Sequence, residues 1–442
     1  MKIVKKIGSM LCALGFVGAA QAENITVIHA GQLLDEPGKP PKEAHSIIIR
    51  DGLIDQVLPT ASFSEQSLGV ADGDILEIHN LEDKFVLPGL IDGHVHLTSE
   101  LNPQGRLQTV QMSDADRAMM GALHAKRTLM AGFTTVRDVG AGTGDAIFAL
   151  RDATANGWVS GPRIFASGAT ISVTGGHGDG TQGYRDDIAH MFKASGNSGT
   201  CDGVESCRRA VREQVRRGAD HIKLTATGGV LSNTAAGTEV QFFEDELKAI
   251  MDTAHSMGRK VTAHAHGKNG IDAALEAGVD SIEHGTYLDP ESVRLFRRSG
   301  AYLVPTLLAG QTVVEIAESP NSFLTPPQRK KSLQVGPQMI EMARTAHDGG
   351  VKIAFGTDSG VSRHGDNARE FELLVKAGMT PAEAVYSATV AGADNLGMSD
   401  SLGTLRPGKL GDLIAVDGNP LQDISVLLDV EFVMKEGVLY KE

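Results

Sequence analysis

Cysteine is scarce in this sequence, with three residues in 442. Cys12 lies near the N-terminus, whereas Cys201 and Cys207 stand together in TCDGVESC. So few cysteines exclude a small disulfide-stapled scaffold, and no further cysteine exists to complete a zinc site around the pair. Cys201 and Cys207 either remain free thiols or pair in an oxidising compartment, and we predict the disulfide.

Basic residues are outnumbered as well. The chain has 41 Lys and Arg against 55 Asp and Glu, which gives a formal net charge of −14. Polyanions attract cationic surfaces, so this balance argues against nucleic acid or an anionic membrane as a partner. It leaves a small-molecule substrate open, because an active site sets its own local field.

Long apolar runs are missing apart from residues 7–20. Three lysines precede this run and Ala-Gln-Ala at 20–22 follows it, which is the pattern of a secretory signal. A membrane anchor is the alternative, but the run is short for a membrane span. We therefore predict a signal peptide over residues 1–22 and an exported protein, periplasmic or secreted, with no membrane partner after cleavage. The mature chain would lose three lysines and no acid, leaving a charge of −17.

The two ends of the chain read as β-structure. Residues 24–86 and the C-terminal stretches GDLIAVDGNP and EFVMKEGVLY consist of short apolar runs separated by turns. Because chain termini often lie close together, we predict that residues 23–86 and 400–442 form one small flanking β-sandwich domain.

Apolar strand candidates alternate with helical segments between residues 87 and 399. Strands that are mostly apolar and alternate with helices predict a parallel sheet, and eight such units predict an α/β fold of the (β/α)8 TIM barrel type. The candidate strands are 85–97, 133–140, 163–171, 219–226, 260–267, 281–286, 301–308 and 352–360. Long linkers at 172–203, 227–243 and 309–325 follow strands and are expected to wall a pocket.

Metal-ligand residue types stand near the carboxyl ends of five of these strands. His94 and His96 are two residues apart, so both point to one side of their strand. Strand ends form a ring around one mouth of a closed barrel, so these side chains would converge there. Each alone could be a satisfied polar core residue, whereas six together indicate a metal site: His94, His96, Lys223, His264, His284 and Asp358.

Lys223 lies inside an apolar run, GADHIKLTATGG. Burial lowers the pKa of a lysine that has no partner, and a neutral amine can react with carbon dioxide to give a carbamate. Such an N6-carboxylysine could bridge two metals. The alternative is an ion pair between Lys223 and a carboxylate.

Six segments together resemble the amidohydrolase superfamily: PGLIDGHVHL, GFTTVRDVG, GADHIKLTATGG, VTAHAHG, DSIEHGT and AFGTDSG. TGGHGD and GADHIKLTATGG are similar to its imidazolonepropionase-like and prolidase-like branch. That branch contains dipeptidases, N-acyl amino acid carboxypeptidases and enzymes that hydrolyse ochratoxin-type amides. The resemblance covers essentially the whole mature chain, and relatives in this branch are often homo-oligomers.

The resemblance implies a site with two divalent metals, for which zinc is the natural ion given imidazole and carboxylate ligands. His94, His96 and Asp358 would hold the first metal, and His264 and His284 the second. Carboxylated Lys223 would bridge them, with carbon dioxide as the source of the carbamate. His266 competes with His264, which we choose because it matches the usual first histidine after the strand.

The resemblance also implies the reaction, in which a hydroxide bridging the metals attacks an amide carbonyl and Asp358 transfers the proton. His177 in TGGHGD is a candidate second catalytic residue and substrate contact, unless it is an exposed loop residue. His266, Tyr287 and His364 are further candidates for substrate binding.

The predicted function is therefore hydrolysis of the amide bond of a dipeptide or N-acyl amino acid. One alternative is hydrolysis of a cyclic amide, lactone or phosphotriester at the same site. Another alternative, of a different class, is an inactive binding or scaffold homologue, in which some metal-ligand residues would be missing. All six candidate ligands are present.

Overall fold

A computed structural model describes residues 22–141, 145–194, 199–233 and 237–442. The predicted signal peptide, residues 1–22, lies outside the described residues except for its last position. The described strands are β1 (Asn24–Leu33), β2 (Lys42–Arg50), β3 (Leu53–Pro59), β4 (Ile75–Pro88), β5 (Leu90–Val95), β6 (Phe133–Asp138), β7 (Arg163–Ala166), β8 (Ile222–Thr225), β9 (Val261–Ala265), β10 (Ser281–His284), β11 (Tyr302–Val304), β12 (Lys352–Ile353), β13 (Leu413–Val416), β14 (Val430–Lys435) and β15 (Val438–Lys441).

The described α-helices are α1 (Gly105–Gln111), α2 (Asp114–Met130), α3 (Ala146–Ala155), α4 (Asp186–Ala194), α5 (Val204–Arg216), α6 (Glu244–Ser256), α7 (Lys268–Ala277), α8 (Pro290–Ser299), α9 (Leu307–Glu318), α10 (Pro326–Val335), α11 (Met339–Asp348), α12 (Arg369–Lys376), α13 (Pro381–Ser387) and α14 (Val390–Leu396). Short 3-10 helices occur at Thr60–Ser62, Glu65–Leu68, Gly336–Gln338 and Ile424–Leu428. Among the described residues, no helix is both long and apolar enough to cross a membrane.

Local sequence explains many helix ends, and α8 is an example. The Asp289 carboxylate accepts hydrogen bonds from the backbone nitrogens of Glu291 and Ser292, at 2.8 and 3.0 Å. Pro290 fills the first helical position, where no backbone N–H is needed. Gly300 ends the helix with a φ of 75°, a conformation that side chains disfavour.

Strands from both ends of the chain form one mixed sheet, in the order β15-β14-β13-β4-β1-β2-β3. The expected sandwich is thus one continuous seven-stranded sheet. The predicted first barrel strand, 85–97, is divided between β4 and β5. The Gly89 N–H donates to Asp412, whereas the Leu90 N–H donates to Gly132, so the backbone changes partners at this point.

The remaining strands are parallel and lie in two sheets, β5-β6-β7 and β8-β9-β10-β11-β12. A parallel bridge between Ile171 and Leu224 connects the β7 side to β8. Another, between Val95 and Ser359, connects β5 to the segment after β12. Each of the eight predicted segments contains one of these strands, which confirms the α/β class with parallel pairing.

The predicted linker 309–325 is largely helical, because α9 runs through its first half. The N-terminus of α9 is stabilised by the buried Glu370, whose carboxylate accepts from the backbone nitrogens of Leu307 and Leu308 at 2.9 and 2.6 Å. This cap comes from more than 60 residues away, so the local sequence carries no sign of it. The linker at 172–203 also contains a helix, α4.

The structure joins Cys201 and Cys207 by a disulfide, with both side chains buried. The bond ties the start of α5 to the segment that follows β7. The backbone N–H of Cys201 donates to Ser172 at 2.8 Å. The disulfide therefore fastens the far end of the loop that carries His177.

Candidate metal centre

A cavity of about 260 Å³ lies at the carboxyl ends of the parallel strands. Its lining includes all six predicted ligands, namely His94, His96, Lys223, His264, His284 and Asp358. His177 and His266 line it too. The structure thus brings together residues that are up to 264 positions apart in the sequence.

Asp358 lies between the first two histidines. Its Oδ1 is 3.1 Å from His96 Nε2 and 3.5 Å from His94 Nε2. This oxygen is buried and has no hydrogen-bond partner among the described residues. Burial raises the pKa of the Asp358 carboxyl, but the adjacent imidazoles outweigh that effect and lower it. The carboxylate is therefore held in its charged form.

Hydrogen bonds at the back of the rings assign the proton on each of these imidazoles. His94 Nδ1 lies 2.7 Å from Glu283 Oε2, and His96 Nδ1 lies 2.8 Å from the Gly140 carbonyl. Both acceptors require N–H at Nδ1, so Nε2 carries a lone pair whenever the ring is neutral. Burial lowers the pKa of His94 well below its ordinary value, whereas for His96 the adjacent Asp358 carboxylate outweighs burial and raises the pKa. A cation bound between the Asp358 oxygen and the two Nε2 atoms would take the place of a proton on His96.

His284 follows the same pattern. Its Nδ1 is 2.6 Å from the Thr306 hydroxyl, which donates to the Pro305 carbonyl at 2.7 Å. Thr306 therefore accepts from His284, and the His284 Nε2 lone pair is free to act as a ligand. Burial lowers the pKa of His284 well below its ordinary value, which keeps the ring neutral.

The structure brings both His264 and His266 close to His284, with ring centroids 4.6 and 4.9 Å away. One nitrogen of each of the three rings lies within 4.8 Å of the others. His264 Nε2 is 3.4 Å from the Gly228 carbonyl, whereas His266 Nδ1 is 2.8 Å from the Thr286 hydroxyl. Both rings line the cavity because residues two apart on a strand share a side.

Lys223, in β8, is buried with 4% of its surface exposed. Within the described part of the chain, no hydrogen bond or ion pair engages its ammonium group. Burial lowers the pKa of Lys223 to about 8, from 10.5. The ion pair that was the alternative for this lysine is thus not formed with any described carboxylate.

Two of the site residues adopt left-handed backbone conformations that L-residues rarely take. His284 has a φ of 74° and Asp358 a φ of 59°, and Thr306, which bonds His284, has a φ of 51°. Such conformations cost free energy and concentrate at functional sites. Here they turn side chains at strand ends into the cavity.

His177 lies beside His264, with ring centroids 4.3 Å apart, and its Nδ1 is 2.6 Å from the Ser232 hydroxyl. Tyr287 and His364 do not line the cavity, and His364 bonds instead to the backbone of Ser99 at 2.9 Å. Geometry therefore gives no support to these two as substrate contacts.

Glu283 was missed by the sequence reasoning. It is fully buried, and its second oxygen, Oε1, lies 2.8 Å from the Arg137 guanidinium. An acidic residue next to His284 in a buried strand is the sign in the sequence that could have indicated its role. Strict strand alternation would place Glu283 and His284 on opposite sides of the strand, but the left-handed φ of His284 breaks that alternation.

The sequence matches the amidohydrolase family over residues 85–440. The chain therefore belongs to the amidohydrolase family, as the sequence motifs predicted, and this supports a hydrolase that acts on amide C–N bonds.

Individual relatives cover nearly the whole chain. Ochratoxinase from Aspergillus niger is 33% identical over 445 residues, covering 96% of this chain and 88% of the relative. The crystal structure of a Xaa-Pro dipeptidase with methionine in its active site is 41% identical, with a TM-score of 0.86 over 95% of this chain and 100% of the other. A prolidase complexed with N-methylphosphonate-L-proline is 32% identical, with a TM-score of 0.85 and the same coverage.

Proposed function

We propose that this protein is a two-metal amidohydrolase that cleaves the amide bond of a dipeptide or N-acyl amino acid. One observation carries the proposal. Several imidazoles, a charged carboxylate and a lysine without an ionic partner among the described residues line one cavity, whose lining also includes apolar side chains. The similarity to a Xaa-Pro dipeptidase, a prolidase and an ochratoxinase supports the amide as the bond.

The donor atoms suit two divalent cations, and we assign zinc. Asp358 and the Nε2 atoms of His94 and His96 would hold one. His284, with His264 or His266, would hold the other. Lys223 would supply a further ligand as its carbamate, which forms when the neutral amine adds to carbon dioxide and releases a proton.

When bound, the metals would polarise the amide carbonyl and lower the pKa of the attacking water. The Asp358 carboxylate would accept the proton of that water and deliver it to the leaving nitrogen. The Ser232 hydroxyl can donate to His177 Nδ1, which leaves the Nε2–H of His177 to donate to the substrate.

The apolar part of the cavity lining favours a substrate that carries an apolar group. It is formed by Val230, Val313, Val335 and Met339, all less than 9% exposed. An uncharged side chain or acyl group would bury its surface there, whereas a charged one would lose hydration without gaining a partner.

A substrate library tests the proposal. Zinc-loaded protein is incubated with dipeptides and N-acyl amino acids, and liquid chromatography measures the free amino acid released. We expect release, fastest for apolar residues, and none from the Asp358→Asn variant. Lactones, cyclic amides and phosphotriesters are tested in parallel. Hydrolysis of those alone, with no amino acid released from any amide, would overturn the proposal.

The proposal extends to the architecture and the location of the protein. We propose that the eight parallel strands close into one barrel, which the bridges at both sheet edges support. Residues 23–86 and 400–442 then form the flanking domain, 87–399 the barrel and 1–22 a cleaved export signal. N-terminal sequencing of the exported protein, and its mass in solution for the proposed homo-oligomer, test these points.

A further inference from the structure

A second group of metal-ligand side chains lies outside the cavity. It consists of Glu100 after β5, His124 in α2 and His364 in the segment after Asp358. One ligand atom from each lies within 4.8 Å of the other two. None of these residues lines the catalytic cavity. The mechanism proposed above does not use them.

Hydrogen bonds again assign the protons. His124 Nδ1 is 2.8 Å from the Leu97 carbonyl, and His364 Nε2 is 2.9 Å from the Ser99 carbonyl. A carbonyl only accepts, so each of these nitrogens carries the hydrogen. The remaining nitrogens, His124 Nε2 and His364 Nδ1, therefore carry lone pairs. Metal-binding histidines almost always donate their other N–H in this way.

One of these lone pairs is buried without a partner. His364 is 1% exposed, and its Nδ1 makes no hydrogen bond to any described residue. A buried acceptor without a donor costs free energy, and most native structures avoid it. A ligand at this nitrogen would remove that cost.

The carboxylate completes a zinc-type donor set. Glu100 Oε2 accepts from the His364 backbone N–H at 3.0 Å, which positions the group and leaves Oε1 for an ion. Two imidazoles and a carboxylate form a known zinc ligand set, with a fourth position for water. Ligand atoms around tetrahedral zinc lie about 3.4 Å apart, so the three atoms, now within 4.8 Å of one another, would move closer together and the two rings would turn toward the ion.

We propose that Glu100, His124 and His364 form a separate Zn²⁺ site. The ion connects α2, the segment after β5 and the segment after Asp358. The latter two lead away from His96 and Asp358, so the ion would brace the part of the chain that holds the first catalytic metal. The two rings are now stacked, with centroids 4.3 Å apart and planes at 18°, and ion binding would open this stack.

Zinc content of the whole, zinc-equilibrated protein tests the proposal, measured by mass spectrometry of the metal. We expect His124→Asn to hold one zinc ion per chain fewer than the unaltered protein. His190→Asn is the matched control, because His190 is an exposed histidine on α4, and it should retain the full content. Glu100→Gln, at a half-buried position, serves as the second variant if His124→Asn does not fold.

Anomalous diffraction at the zinc edge gives a second readout that does not depend on activity. We expect a peak between Glu100, His124 and His364, separate from those in the cavity. Equal zinc content in the unaltered protein and a folded cluster variant, or density there without anomalous signal, would refute the site. Neither result bears on the amidase assay, so the two proposals fail separately.

Discussion

Replacing Glu283 by glutamine should weaken both the fold and the metal centre. Its carboxylate lies 2.7 Å from His94 Nδ1 and 2.8 Å from the Arg137 guanidinium, and it accepts from the hydroxyls of Thr262 and Ser281. Glutamine keeps the size of the side chain but removes the negative charge and one acceptor. The single amide oxygen can accept from Arg137 or from His94, so one of them faces the amide NH2 group, and Arg137 loses its counter-charge in either case.

The size of the effect follows from burial. Arg137 is 3% exposed and Glu283 is fully buried, so the variant leaves a buried guanidinium without its paired carboxylate. Removing one partner of a buried pair costs about 3–5 kcal/mol of the free energy of unfolding. His94 exchanges a charged acceptor for a neutral amide oxygen or for the amide NH2 group, and weakening the partner that fixes its tautomer should lower metal affinity by about 10–100-fold.

Two measurements check the prediction. Urea denaturation of the metal-free protein gives the change in stability, and competition with a chelator gives zinc affinity. Glu276→Gln, on the exposed side of α7, is the matched control and should behave like the unaltered protein. A double variant, Glu283→Gln with Arg137→Gln, should recover part of the stability because no buried charge is left over. If Glu283→Gln alone unfolds at the same urea concentration and holds zinc equally well, the reasoning is wrong.

Three further predictions follow from the cavity and its loop. A Cβ at Gly229 would overlap the His177 ring, so Gly229→Ala should lower kcat/KM by about 100-fold at unchanged metal content. Gly180→Ala is the control, because the space around its Cβ is open and kcat/KM should not change. Equal kcat/KM values for the two variants would contradict the role of His177. Burial lowers the pKa of His177 to about 3 from 6.5, so its contribution to stability is complete above pH 6.5 and declines as the pH falls toward 3. In the metal-free His177→Gln variant, the loss of unfolding free energy on acidification should therefore be smaller. An identical pH dependence of the two proteins would contradict this contribution of His177. Changing both Cys201 and Cys207 to serine opens a loop with a sequence separation of 6 and should lower the free energy of unfolding by about 2 kcal/mol, measured by urea denaturation. An unchanged free energy of unfolding would refute a stabilising role of the disulfide.

The parallel strands could be predicted because burial on both faces leaves a nearly continuous apolar run, as in β9 and β10, whose residues are all buried. The boundary at Gly89 could not be predicted in this way. Residues 85–91 are apolar on both sides of Gly89, and only the partners Asp412 and Gly132 decide which sheet each side joins. The sequence also predicts a linker where α9 forms, because the residue that caps this helix, Glu370, is remote in sequence.

The sequence by itself predicted the six candidate ligands that line the cavity. Residue type and strand spacing placed His94 beside His96, and an isolated lysine in an apolar strand marked Lys223. It could not separate His264 from His266, because residues two apart share a side. It also included Tyr287 and His364, which lie near the site in sequence but not along the cavity.

Tertiary structure decided the state of each group. The proton on His94 is assigned by Glu283, 189 positions away, and that on His284 by Thr306 in the next strand's loop. Whether Lys223 has a carboxylate partner depends on what packs around β8. Hydrogen bonds and burial act over a few ångströms, so they depend on which residues the fold brings together, whereas the sequence records only which residues are available.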